Sequence, residues 1–206
     1  MKPRAFSLLG LLIASCAGPA PLPFRVDPND FNPLEVGMDW AYSTGGPFVQ
    51  RRKVTGVQRV GRFDCRIVEA QTEKATEKHW MRSEKDGLKV YRVSAGLEVI
   101  DFDDPLVLIK YPAVPGVRWA FEERHGLVTL DVAGAYEADE DVQVKKRTLR
   151  CARIRLVKSV QGQTVLDQTS WYARGVGLVK TTVAWTEEGR DMTRTLQLIG
   201  SNLLGD

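Results

Sequence analysis

The sequence predicts an all-β protein: an antiparallel curved sheet, half-barrel or sandwich of about ten strands made of two similar halves. Short runs of β-branched and aromatic residues recur along the chain with partial period-two alternation, which is typical of half-buried strands. Dipeptides that contain glycine separate several of these runs. A set of landmark residues also occurs twice in the same order. Together these three observations indicate consecutive hairpins and a duplicated series of strands.

The strand pattern is clearest in the second half of the chain. Between the strand-like runs, Asp86-Gly87, Gln161-Gly162 and Glu188-Gly189 predict tight hairpins, because glycine adopts the positive φ values that such turns need. The polar stretch 70–80 has helix-forming composition, but its apolar face is too thin for a helix, and we interpret it as a long hairpin. The predicted strands lie within 88–93, 126–134, 153–160, 178–185 and 194–200.

Two segments with the pattern Pro-x-x-x-Gly-x-x-Trp-Ala-aromatic begin at Pro33 and Pro112. A strand-like run with one cysteine and a run with one tryptophan follow each segment, which predicts pseudo-repeats at about 32–100 and 111–200. We expect each glycine to form a turn and each opening tryptophan to cover an end of the core; stacking on a ligand is the alternative for the tryptophans. The paired landmarks are Gly37 and Gly116, Trp40 and Trp119, Cys65 and Cys151, and Trp80 and Trp171.

The repeat bears on the two cysteines that follow the N-terminal region. One disulfide between Cys65 and Cys151 is compatible with an oxidising compartment, and two separate buried thiols are the alternative. Equivalent positions in two repeated units lie apart unless the symmetry axis brings them together. The sequence therefore favours two separate thiols that serve as packing residues.

The N-terminus carries the features of a secretory signal. Lys2 and Arg4 precede an apolar run at 6–14 that is far shorter than the ~20 residues of a membrane-spanning helix. The residues at 13–16, Ile-Ala-Ser-Cys, resemble the bacterial lipobox, in which the cysteine is acylated; an ordinary signal with an incidental cysteine is the alternative. This resemblance implies a signal peptide at 1–15 and an acylated Cys16 that anchors the chain in a membrane.

The expected domain organisation follows from this start. The proline-rich segment 16–30 predicts an extended tether, and 31–206 predicts a single β domain. Bacterial lipoproteins with aspartate after the cysteine stay at the inner membrane, whereas Ala17 and Gly18 follow here. The resemblance thus implies the bacterial cell envelope, with the protein on the outer membrane and facing the periplasm.

The repeated opening and the closing segment 171–180, WYARGVGLVK, also resemble a set of uncharacterised bacterial secreted and lipid-anchored β proteins. The resemblance spans most of residues 31–200. It implies an all-β fold and no known reaction. Some envelope proteins of this kind are similar in fold to the half-barrel carriers that move lipoproteins across the periplasm, which is an analogy of fold alone.

Composition excludes some functions. Removal of the signal takes two of the 29 basic residues and leaves 27 against 26 acidic ones, so a nucleic-acid partner is not expected. No catalytic or phosphate-binding motif occurs in the sequence. We expect His79 and His125 at the surface or rim, and we interpret 101–106, with three aspartates, as a linker between the halves and not as a metal site.

We therefore expect a non-enzymatic protein without cofactor or metal that binds an apolar ligand on a concave face or binds an envelope protein. The candidate ligand-binding residues are Val128, Leu130, Val179 and Val183. A structural or assembly module of an outer-membrane complex is the alternative, and a hydrolase with an unrecognised site is the third hypothesis.

Overall fold

The computed structural model describes residues 30–204, except residues 74 and 126. These residues form twelve antiparallel strands, and no helix among them could span a membrane. The predicted all-β antiparallel fold is confirmed, with twelve strands in place of about ten. The strands are β1 (Asp39–Ser43), β2 (Val49–Val60), β3 (Phe63–Gln71), β4 (Thr76–Glu84), β5 (Gly87–Ala95), β6 (Glu98–Lys110), β7 (Arg118–His125), β8 (Val128–Val144), β9 (Arg147–Val160), β10 (Gln163–Ala173), β11 (Gly177–Glu187) and β12 (Arg190–Ser201).

All twelve strands belong to one sheet whose order is β6-β5-β4-β3-β2-β1-β12-β11-β10-β9-β8-β7. The sheet therefore consists of two six-stranded meanders, β1–β6 and β7–β12, that join where β1 pairs with β12. The two edge strands, β6 and β7, follow each other in the chain and lie side by side without a backbone ladder between their described residues. The sheet is thus rolled into a nearly closed barrel with one seam.

Tight turns join most neighbouring strands. At Gln161-Gly162 and Glu188-Gly189 both residues have positive φ, between 50° and 78°, which is the type I′ geometry that matches strand twist. The turn near Asp86 differs from the expected one, because Glu84 pairs with Gly87 and the glycine already belongs to β5. The predicted hairpin at 70–80 is confirmed, since β3 ends at Gln71 and β4 begins at Thr76.

The interpretation of residues 101–106 as a linker is wrong, because this stretch lies inside β6. Arg92 of β5 pairs with Asp101 and Val90 pairs with Leu106, so the residues between them bulge out of the ladder. Proline lacks a backbone donor and is tolerated in strands at edges and bulges. Pro105 lies in an edge strand and also within a bulge, and this explains why an acidic run that contains proline forms part of a strand.

The paired landmarks lie at corresponding places in the two meanders. Gly37 and Gly116 precede β1 and β7 with φ values of 95° and 91°, and Trp40 and Trp119 are the second residues of those strands. The two cysteines lie in the third strand of each meander, and Trp80 and Trp171 lie in the fourth. Descent of the halves from one repeated unit stays a prediction.

Most buried apolar residues form one continuous core cluster, and Val60, Cys65, Trp80 and Tyr91 of β2–β5 form a smaller, separate cluster. Cys65 and Cys151 are both free and fully buried, as the sequence favours. Burial raises the pKa of the Cys151 thiol to about 12, with nearby carboxylates adding to the effect. Both thiols pack in clusters of apolar side chains, as small apolar residues do.

The segment before β1 closes one end of the barrel. Its residues Phe31, Leu34 and Met38 are buried in the core. Backbone groups fix it: Gly175 N donates to Asp30 O at 2.7 Å, and Arg66 Nε donates to Leu34 O at 3.1 Å. We call this the plugged end. The hairpins at 44–48, 72–75, 96–97, 161–162 and 188–189 lie at the other end, which we call the open end.

Candidate functional site

A cavity of about 290 Å³ lies inside the barrel. It is lined by side chains from ten strands, all except β7 and β8. Asn32 and Leu34 of the segment before β1, which we call the plug, and Thr72 of the β3–β4 turn complete the lining. Its volume is close to the lower end of the ~300–1,000 Å³ range of small-molecule sites. A cavity of this size suits one apolar chain or small ring system better than a ligand with several long chains.

Apolar side chains form the larger part of the lining. Several come from β3–β6, where strand alternation turns every second residue inward. Others come from β11 and β12 on the opposite wall. The apolar lining residues are Leu34, Val68, Ala70, Met81, Val90, Val93, Leu106, Leu108, Leu178, Val183 and Leu196, with Trp40 beside them.

Buried hydrogen bonds hold two aromatic lining residues in place. Trp40 Nε1 donates to Val176 O at 2.7 Å, and Tyr42 Oη donates to Leu178 O at 2.9 Å. Burial raises the pKa of Tyr42 well above its usual range, so its hydroxyl stays protonated at physiological pH. These bonds tie β1 to the start of β11 and make this part of the wall rigid.

The cavity also contains charged groups. Arg52, Glu77, His79, Lys158 and Arg194 all line it. β2 and β4 run from the open end towards the plugged end, and Arg52 and Glu77 precede the buried apolar residues of these strands. Lys158 lies two residues from the end of β9 that is at the open end. The charged groups therefore lie nearer to the open end than most of the apolar lining.

His79 and Glu77 form a pair in this wall, with 3.8 Å between Nε2 and Oε2. The neighbouring imidazole of His79 lowers the pKa of Glu77, and burial lowers the pKa of His79 from its usual value despite its carboxylate neighbour. At neutral pH the histidine is therefore mainly uncharged and the glutamate is ionised. The sequence predicts His79 at the surface or rim; its side chain is 27% exposed and faces the cavity.

Two cations in the cavity lack a close acidic partner. Burial lowers the pKa of Lys158, and only the more distant charge of Glu77 favours its ionised form. Arg52 Nε is buried and has no hydrogen-bond partner among the described residues. Arg194 Nη2 is also buried without a hydrogen-bond partner among the described residues, but it lies within ion-pair distance of Glu73, 3.7 Å from Oε1. Arg52 and Lys158 together face one carboxylate, Glu77, which leaves one positive charge unmatched.

Apolar side chains surround the open end. Leu97 and Leu127, at the tips of the β5–β6 and β7–β8 hairpins, are 102% and 96% exposed. Other large apolar residues near hairpin tips at this end are also exposed: Val49, Val99, Ile100, Val128, Val165 and Met192. We call these eight residues the apolar rim. The apolar rim does not line the cavity and forms a separate exposed apolar surface at the same end of the barrel.

Side chains close the seam between β6 and β7. Trp119 Nε1 donates to Val107 O at 2.9 Å, and Asp103 N donates to Glu123 Oε1 at 3.1 Å. Phe102 and Phe121 meet edge to face with 5.8 Å between ring centres. The barrel wall therefore stays continuous at the seam without a backbone ladder.

The structure distributes the predicted site residues over different environments. Val183 lines the cavity, Val128 belongs to the apolar rim, Leu130 packs half-buried against the core, and Val179 is fully buried. Trp40 lines the cavity, whereas Trp119 lies at the seam. Cys16, the signal 1–15 and all of the tether except residue 30 lie outside the described residues, as does the side chain of His125.

The aspartates of β6 take part in protein contacts. Asp101 forms a bidentate ion pair with Arg92, which lowers the pKa of the carboxyl group. Within the described residues, no group of three His, Cys, Asp or Glu side chains could hold a metal ion.

The cations of the cavity, Arg52, Lys158 and Arg194, were not among the residues predicted from the sequence. Their positions could have indicated this role, because each lies in its strand where the alternation of side chains between the two faces directs the side chain inward. That signal becomes readable only when the bulges in β2 and β10 and the closure of the barrel are known.

No family model and no curated protein matches the chain, so the family resemblance stays a prediction. The chain is similar to a crystal structure from Parabacteroides distasonis ATCC 8503 that is named a "putative lipoprotein". The identity is 12% and the TM-score 0.44, over 83% of this chain and 97% of that chain. A similarity of this extent carries no information about function.

Proposed function

We propose that this protein is an envelope lipoprotein that binds, without catalysis, the apolar part of a small ligand inside its barrel. The observation that supports the proposal is the cavity of about 290 Å³ with its mainly apolar lining. Protein interiors are close-packed, and lining atoms without neighbours lose dispersion contacts. A ligand chain would restore those contacts and would remove its own apolar surface from water, at about 25 cal/mol per Å².

A substitution that fills the cavity tests this proposal. Val183 lines the cavity, and its neighbour Ala184 is exposed on the other face of β11. We expect Val183→Trp to abolish the fluorescence gain of N-phenylnaphthylamine, a neutral apolar dye, and Ala184→Trp to leave it unchanged. Equal dye binding by the wild type and the Val183→Trp protein would show that the dye binds elsewhere and would contradict the proposal.

The second part of the proposal concerns the anchor. The signal-like start and Cys16 support a lipid-modified N-terminus that holds the β domain at the outer membrane on the periplasmic side. We expect Cys16→Ser to remove the added acyl mass and to change the membrane fractionation of the protein. The mass spectrum of the membrane-extracted chain measures this, and an identical mass increment in the variant would refute acylation at Cys16.

The apolar rim favours a second candidate function, docking to an envelope protein as an assembly module. Exposed apolar patches of this kind mark interaction surfaces in many soluble proteins. The two functions differ in the residues that they need. Replacement of Leu97 and Leu127 by serine should abolish crosslinks to such a partner and leave dye binding intact, whereas Val183→Trp should have the opposite effect.

A further inference from the structure

We propose that the ligand of the cavity carries one anionic group, a carboxylate or a phosphate ester, which binds between Arg52 and Lys158. The proposal rests on the proposed function, because it names the chemical class of the ligand that the same cavity holds. It goes beyond an apolar ligand by assigning a head group, its charge and its orientation.

The charged residues that line the cavity favour a ligand with an anionic group. Besides two tyrosines, its charged or titratable lining residues are Arg52 on β2, Glu77 and His79 on β4, Lys158 on β9 and Arg194 on β12. Glu73 lies 3.7 Å from Arg194 and compensates it. His79 is mainly neutral because of its burial. One carboxylate then faces two cations, and a ligand with one negative charge would complete the balance.

The state of the two cations supports the same assignment. A buried charged group is costly unless it is paired and hydrogen-bonded. Arg52 Nε is buried without a hydrogen-bond partner among the described residues, and no ion pair joins Lys158 to any of them at salt-bridge distance. An anionic head group would supply hydrogen-bond acceptors to both side chains. Charge-assisted bonds of this kind are among the strongest polar contacts in proteins.

The positions of the charged and apolar residues determine how the ligand lies. Arg52 precedes Val54 in β2, and Glu77 and His79 precede Met81 in β4, so the charged residues are closer to the open end. Leu34 of the plug lines the opposite part of the cavity. The ligand would therefore place its apolar chain towards the plugged end and its head group near the open end.

Three amphiphiles with the same chain test the head group: decanoate, decanol and decylammonium. Each is titrated by calorimetry into the full chain in a non-ionic maltoside detergent, and the Val183→Trp protein in the same detergent gives the heat of partition into micelles. We expect decanoate to bind at least about tenfold more tightly than decanol, and decylammonium to bind most weakly. Added salt should weaken the binding of decanoate and not that of decanol.

Substitutions of the two cations provide the second measurement. We expect Arg52→Met and Lys158→Met each to weaken decanoate binding by about tenfold or more and to leave decanol binding nearly unchanged. Arg51 and Lys53 are matched controls, because they are exposed on the other face of β2, and Arg51→Met and Lys53→Met should have no effect. If a cavity variant fails to fold, the comparison of head groups and the salt dependence in the wild type still test whether the site binds an anion.

The possible outcomes separate the two proposals. Equal affinity for decanoate and decanol would overturn the anionic head group and leave the apolar cavity ligand in place. Tightest binding of decylammonium would assign the head-group site to Glu77 and would also overturn the proposal. Failure of all three compounds to bind more tightly than they do to the Val183→Trp protein would overturn the proposed function itself.

Discussion

Replacement of Trp40 by alanine is expected to destabilise the protein by about 3–5 kcal/mol, which is the usual range for a buried tryptophan. Its side chain is 4% exposed, lines the cavity and packs within the core that closes the plugged end. The variant also loses the bond from Trp40 Nε1 to Val176 O, and this leaves a buried carbonyl without that donor. Urea denaturation monitored by far-UV circular dichroism measures the change.

Trp185→Ala is the matched control for this prediction. Trp185 lies in β11, is only half-buried, and its Nε1 contacts Glu187 at 3.4 Å on the exposed surface. We expect this substitution to cost about 1 kcal/mol or less. Similar losses of stability in the two variants would contradict the role of Trp40 as a main contact of the plugged end.

Replacement of Gly134 by alanine is expected to destabilise the protein by about 3 kcal/mol through overpacking and the loss of one hydrogen bond. Gly134 pairs with Trp119 across β7 and β8. A Cβ atom at this position would lie 2.1 Å from Cε2 of the indole ring, so the ring must move. Because the same ring donates to Val107 O, its displacement also weakens the closure of the seam.

Gly56→Ala is the control for Gly134→Ala. Gly56 also lies within a strand, and a Cβ atom there would meet nothing within 4 Å. We expect its effect on the free energy of unfolding to be within about 0.5 kcal/mol. Hydrogen exchange of the amides of β6 and β7 should rise in the Gly134→Ala protein and not in the control. Unchanged exchange at these strands would refute the closing role of Trp119.

The strands and turns of this fold could largely be predicted from the sequence because local physics determines them. A run such as 178–185 is rich in the β-branched residues that favour strands, and pairs such as Glu188-Gly189 adopt the positive φ values of a type I′ turn. The exception was 101–106, where the tolerance for Pro105 came from the edge position of β6. Edge position depends on the order of strands in the whole sheet and not on neighbouring residues.

The cavity could be predicted only in outline. A concave apolar face and the lining residue Val183 followed from alternation in β11. The inward direction of Lys158 could not be predicted in this way. Lys158 lies in the same run as Arg155, which pairs with Asp167 on the other face of the sheet. Long-range pairing of β1 with β12 rolls the sheet and brings Lys158 near Glu77 and His79. No local pattern contains that information.

Two incompletely paired cations inside a barrel lower stability and are a feature of binding sites more than of structural cores. Apolar residues at these positions would be compatible with the fold and would avoid the cost of burying a charge. The arrangement of Arg52 and Lys158 beside one carboxylate is therefore best explained by an interaction that the free protein lacks. The apolar cavity and its polar end would then form one binding site.

The most direct test of a ligand chain inside the barrel is a crystal structure of the protein with 10-bromodecanoate, in which anomalous scattering locates the bromine. We expect one bromine peak in the cavity among Leu34, Met81 and Leu106, with the carboxylate between Arg52 and Lys158. A peak confined to the apolar rim, or a cavity without bromine in crystals grown at saturating ligand, would contradict this expectation.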